Sequence, residues 1–141
     1  MTEYVVLDNM IWIQRLLGEQ LGSRVVDIIK RKCDTVVLSD DIVDAYAKTM
    51  AMHYGSVPSY LSNLLYTELA VMGKVVRLNG PEPNIEDIHR KDRYLVRAAR
   101  PYHGLIITLD NEDLLKNRSR IEQNHKVRIM TPDEYEASKK S

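Results

Sequence analysis

Cysteine is almost absent from the chain. Cys33 is the only one in 141 residues, so no intramolecular disulfide framework can form. Net charge is absent as well: 20 basic and 20 acidic residues cancel. That removes any global field drawing the protein to nucleic acid or a membrane and leaves the task to local patches. No apolar run approaches the roughly 18 residues of a spanning helix, and no secretory signal is evident. A soluble, cytoplasmic protein without membrane association is therefore expected. Without secretory context, the sequon Asn117-Arg118-Ser119 reads as chance. A glycine-rich phosphate loop is missing, which argues against the nucleotide-binding classes. Repeats, low-complexity segments and an internal domain boundary are missing too, and the length suits one domain over 1–141.

What is present is a core: 44% of residues are hydrophobic. Short apolar runs at 4–7, 35–38, 74–78, 105–109 and 126–130 predict strands. Between them, helical patterns cover 10–17, 23–32, 40–53, 58–72, 92–100 and 111–118, and a last helix starts at Pro132. Thr131-Pro132-Asp133-Glu134 supplies a Thr cap, proline at the first helical position and glutamate three residues after the cap. Strands alternating with helices predict an α/β fold with a parallel sheet and helices on both faces.

The run Leu105-Ile106-Ile107-Thr108-Leu109 reads as a strand buried on both faces. It empties into acid at Asp110 and Asp113, and the carboxyl edge of an open α/β sheet is where ligands bind. Asp8 ends the first strand. Asp40, Asp41 and Asp44 begin the helix after the second, so the alternation alone brings these acids to the same edge. Asp92 shares a helix face with Leu95, Val96 and Ala99, and Asp44 lies between Val43 and Ala47 at the border of an expected inner face. A carboxylate at a core border needs a partner or becomes protonated. Singly, each acid serves as readily as a helix cap. Together they pose an electrostatic problem. Two carboxylates about 4 Å apart repel by about 4 kcal/mol at an effective dielectric near 20, and a hard divalent cation reverses the sign.

Five stretches resemble PIN-domain nucleases. Val5-Val6-Leu7-Asp8-Asn9 is similar to the family's opening strand and first acid. Val37-Leu38-Ser39-Asp40-Asp41-Ile42-Val43-Asp44 resembles its strand, serine and helix, with the second acid at Asp44. Asp92-Arg93-Tyr94-Leu95-Val96-Arg97-Ala98-Ala99 resembles the third-acid helix. Ile107-Thr108-Leu109-Asp110-Asn111-Glu112-Asp113-Leu114-Leu115 resembles the fourth-acid segment, the most specific of them. His125 to Tyr135 is similar to the closing strand and Thr-Pro turn. The family's second acid is usually glutamate. Asp44 is one methylene shorter, and Asp40, one turn earlier, is the alternate candidate.

The resemblance implies a three-layer α/β/α fold around a mainly parallel five-stranded sheet. It also implies metal-dependent endoribonuclease activity, and among small members a toxin neutralised by a separate antitoxin protein, commonly as a homodimer. Asp8, Asp44, Asp92 and Asp110 would hold Mg2+ or Mn2+, with Asp113 auxiliary. A metal-bound water is the expected nucleophile. Ser39 and Thr108 are expected either to hydrogen-bond the site or to cap backbone, and Asn9 either to support Asp8 or to serve the turn. Arg90, Lys91 and Arg93 flank Asp92 and are expected to contact the RNA backbone. His89 and His103 read as surface residues rather than acid–base groups. The apolar stretch 58–72 is a candidate dimer or antitoxin interface, or simply core.

Two rivals stand beside this reading. One is a PIN-like module that binds RNA or a protein without catalysis, for which Asp44 is the best support. The other is a phosphotransfer domain with an Asp nucleophile, weakened by Met10 where that pattern wants a second Asp.

Overall fold

The computed structural model describes residues 3–54, 75–77, 85–109 and 112–140. The stretch 58–72 and Asp110 lie outside the described residues. In chain order the described elements are β1 (Tyr4–Leu7), α1 (Asn9–Leu16), α2 (Gln20–Lys32), β2 (Thr35–Leu38), α3 (Asp40–Tyr54) and β3 (Val75–Arg77). A 3-10 turn (Arg90–Asp92), α4 (Arg93–Ala99) and a second 3-10 turn (Arg100–Tyr102) follow, then β4 (Leu105–Ile107), α5 (Arg118–His125), β5 (Arg128–Met130) and α6 (Pro132–Lys139).

The strands form one α/β sheet in the order β3-β2-β1-β4-β5, and every pairing is parallel. From β1 the chain steps outward to β2 and β3, then returns to β4 on the other side of β1. The winding reverses between β1 and β4, the place where parallel α/β sheets open a crevice at their carboxyl edge. Both strands are central, so both faces must be apolar: Val5, Val6, Leu7, Leu105, Ile106 and Ile107 are all buried. Leu7 pairs with Ile107, so Asp8 and Thr108 leave the sheet side by side. The ladder continues one residue further on each strand. Asp8 N donates to Ile107 O at 3.1 Å, and Thr108 N donates to Met130 O at 3.0 Å.

Helix α4 packs on β1, β4 and β2 through Leu95, Val96, Ala98 and Ala99, all buried. Helices α1 and α2 pack closely because residue 22 is glycine: a Cβ there would lie 2.5 Å from Ile11 O and 2.7 Å from Arg15 N. The capping box at Thr131 and Glu134 starts α6, as the sequence predicts. Among the described residues, no helix is long and apolar enough to cross a membrane.

Three local expectations are corrected. The helix over 111–118 does not form; described residues 112–117 are turns, and α5 begins at Arg118. Leu114 is buried and anchors the turn, and Asn117 closes it, with Nδ2 donating to Asp113 O at 2.9 Å. Secondly, β4 ends at Ile107, leaving Thr108 and Leu109 as irregular backbone. Thirdly, α3 turns Ile42 and Tyr46 into the core. With about 100° per residue, Asp44 then lies about 200° around the helix from Ile42, and it is exposed.

One buried acid belongs to the opposite edge of the sheet. Asp34 is 0% exposed. It accepts from Tyr135 Oη at 2.6 Å and from Glu3 N at 3.1 Å, and Lys139 Nζ lies 3.0 Å away. This network pins α6 to the start of β1 and β2. Burial and the Asp34 carboxylate both push the Tyr135 phenol upward, so it remains a donor.

Candidate functional site

At the β1/β4 reversal lies a crevice of about 400 Å³. Asp8 and Asn9 enter from the end of β1. Ala45, Lys48 and Thr49 come from α3, Lys91 and Asp92 from the 3-10 turn, and Tyr94 from α4. The elements meet there for a simple reason: β1 ends at the switch point, α4 lies across β1 and β4, and α3 touches both α1 and α4.

Asp8 is held at both oxygens. Oδ1 accepts from Asn9 N at 2.7 Å, which caps α1. Oδ2 accepts from Thr108 Oγ1 at 2.7 Å. An ionised carboxylate offers about four lone-pair positions, and these two bonds fix the orientation of Asp8. Thr108 is 0% exposed, its hydroxyl aimed by the irregular backbone after β4. Asn9 Nδ2 donates to Thr49 Oγ1 at 3.3 Å, and Thr49 Oγ1 donates to Ala45 O at 2.8 Å. Asn9 thus ties the first acid's neighbour to α3.

Asp92 is 6% exposed, in line with its place at the N-cap of α4, before the buried Leu95, Val96 and Ala99. Tyr94 reports that both acids act on one space. Burial raises its phenol pKa most, and the charges of Asp8 and Asp92 raise it further. Tyr94 is therefore a neutral hydrogen-bond donor throughout the biological range. Lys48 and Lys91 are exposed, so cations stand at the rim with a buried acid inside. Beside the crevice, ligand atoms of His89, Asp92 and Asp113 lie within 4.8 Å of one another, and Lys91 Nζ is 3.4 Å from Asp113 Oδ2.

Other candidates are placed elsewhere. Asp44 is exposed and does not line the crevice. Asp41, on the same helix, approaches α4, 3.9 Å from Arg97 Nη1. Ser39 is a buried cap whose Oγ accepts from Ile42 N at 3.2 Å. Arg93 folds back to hold the loop before α4, donating to Ile88 O at 2.8 Å and to Glu86 O at 3.2 Å. Arg90 is exposed. Arg118 pairs with Glu134 and Arg120 with Asp87. Sequence reasoning missed Lys48, Thr49 and Tyr94. The spacing of Asp41, Ala45 and Lys48 along one face of α3 was the available signal for the lysine; Tyr94 had none, since its role depends on how α4 meets β1.

The donor set suits a hard divalent cation: carboxylate oxygens, one of them deeply buried and one oriented by two hydrogen bonds, with an imidazole at the margin. Comparison with protein-family models gives no match, and a search among curated proteins gives none either.

Proposed function

We propose that the chain is a metal-dependent endoribonuclease of PIN-like, single-domain architecture, centred on the crevice at the β1/β4 reversal. The observation that carries this reading is the delivery of Asp8 and Asp92, from separate elements, to one crevice at the carboxyl edge of a parallel sheet. Right-handed connections would run β1–β2–β3 on one face and β4–β5 on the other, which supports a three-layer α/β/α arrangement.

In this reading Asp8 and Asp92 hold Mg2+ or Mn2+, with Asp110 and Asp113 completing the set from the segment after β4. Such a cation, when bound, supplies a water of lowered pKa and neutralises charge on the phosphate. The chain's own residues do the rest. Thr108 and the Asn9 amide fix the rotation of the Asp8 carboxylate. Lys48 and Lys91 draw the RNA backbone to the rim without reading its bases. Tyr94, kept protonated, donates a hydrogen bond toward the acids or a phosphate oxygen. An antitoxin and a homodimer go with the same reading.

Incubating mixed RNAs with the protein in Mg2+, in Mn2+ and in chelator, beside Asp8→Asn, tests it. Cleavage with metal, none with chelator and none from the variant is expected. Metal-independent cleavage, or full activity of the variant, overturns the assignment.

A second reading is a PIN-like module that binds RNA or protein without cutting. Its support is the exposed position of Asp44, which leaves two carboxylates in the crevice lining among the described residues. Failure to bind Mn2+ at millimolar concentration favours it.

A further inference from the structure

We propose that His89 is a metal-selecting ligand, biasing the centre toward divalent transition-metal cations such as Mn2+ over Mg2+. This rests on the metal-site reading above and deepens it.

His89 and Asp92 are joined by one turn of backbone: Asp92 N donates to His89 O at 2.9 Å, which brings position i and position i+3 to the same side. Asp113 arrives from a different segment, the turn after β4. The three residues place one imidazole nitrogen and two carboxylate oxygens within 4.8 Å of one another, close enough to share one cation. Asp92 is common to this group and to the crevice containing Asp8, so a cation held by Asp92 has the imidazole within reach.

Among the described residues, the ring is held only lightly. Nδ1 accepts from Lys91 N at 3.3 Å, a long bond that is readily exchanged, and the residue is exposed. The consequence is chemical. Mg2+ takes oxygen ligands and keeps several waters, so a nearby imidazole adds little to its binding. Mn2+ and Co2+ accept nitrogen alongside oxygen, with affinity rising along the first-row series. Lys91 sets the opposing balance: its ammonium, 3.4 Å from Asp113 Oδ2, competes with a cation for the same carboxylate.

Calorimetric titration of the full chain with MnCl2 and with MgCl2, together with the visible absorption of bound Co2+, tests the proposal in wild type, His89→Ala, Lys91→Ala and Asp92→Asn. His89→Ala should weaken Mn2+ by about tenfold or more, leave Mg2+ within about twofold and alter the Co2+ spectrum, as loss of one nitrogen ligand requires. Lys91→Ala should tighten both ions. An unchanged Mn2+ affinity and Co2+ spectrum in His89→Ala overturn the proposal. An equal proportional loss of Mn2+ and Mg2+ also overturns it, because that marks a structural role. If Asp92→Asn abolishes Mn2+ binding while His89→Ala keeps the wild-type Mn2+ affinity, only this inference falls. If wild type binds no divalent cation, the metal-site reading falls with it.

Discussion

The Thr108 hydroxyl donates to Asp8 Oδ2 at 2.7 Å, across the junction where β1 and β4 leave the sheet together. The bond joins residues one hundred positions apart in sequence, and it exists because Leu7 and Ile107 are in register. Thr108→Val keeps the shape and removes the donor. It should destabilise the fold by about 1 kcal/mol, as loss of a hydrogen bond to a charged group predicts after allowance for partial exposure. Cation affinity should fall as Asp8 loses its orientation. Urea unfolding and Mn2+ titration of the variant check both effects.

The acids of α3 separate two outcomes. Asp44 points away from the core face and outside the crevice, so Asp44→Asn should leave Mn2+ affinity within about twofold, as expected for a distant surface charge. Asp8→Asn and Asp92→Asn should each abolish measurable binding. A loss in Asp44→Asn as large as in Asp8→Asn would show that α3 rotates this acid inward when metal binds.

Asp34 lies at the other end of the sheet, away from the crevice lining. Asp34→Ala should cost about 3 kcal/mol, the range for breaking a buried charged network, because Tyr135 Oη and Lys139 Nζ both lose an acceptor. Denaturant unfolding should show that loss while the Mn2+ affinity of the folded variant stays at the wild-type value.

Acid stability has a definite sign at Glu134. The Thr131 amide, then Arg118, hold its carboxyl below the ordinary value of 4.5, against a smaller opposing effect of burial. The folded-state pKa is depressed, so the stabilisation is present above pH 4.5 and is lost as pH falls through the folded-state value. The residue is exposed, which limits the contribution to about 0.5 kcal/mol. Glu134→Gln should therefore flatten the fall of the thermal midpoint below pH 4.5 and leave it nearly unchanged in slope at neutral pH.

Local signals in the sequence were strong where one element decides the outcome. The capping box at Thr131 and Glu134 announces α6, the apolar runs announce central strands, and the alternation announces the parallel sheet. Asp92 was legible as a buried acid because its partners Leu95, Val96 and Ala99 define one face. Asp44 is hard to place from sequence because α3 has apolar residues on two sides, and only packing decides that Ile42 and Tyr46 are fully buried while Val43 and Ala47 are partly so. The charge of Arg93 suggests phosphate, while the carbonyls of Glu86 and Ile88 that its guanidinium also meets are not legible in any one stretch. The turn at 112–117 escaped notice because Leu114 and Leu115 fit a helical stripe as well as they fit a buried turn. Tyr94 and Lys48 join the crevice through contacts between elements, which no single stretch encodes.

The most direct test of the account is cleavage of an end-labelled RNA by wild type and by Asp92→Asn at equal protein concentration, in Mn2+ and in excess chelator. Asp92→Asn should remain folded by circular dichroism. Cleavage by wild type in Mn2+ only is expected, with a rate at least about a thousandfold lower for the variant, the scale of losing a principal group for transition-state stabilisation. Cleavage that persists in chelator, or that Asp92→Asn performs at the wild-type rate, contradicts it.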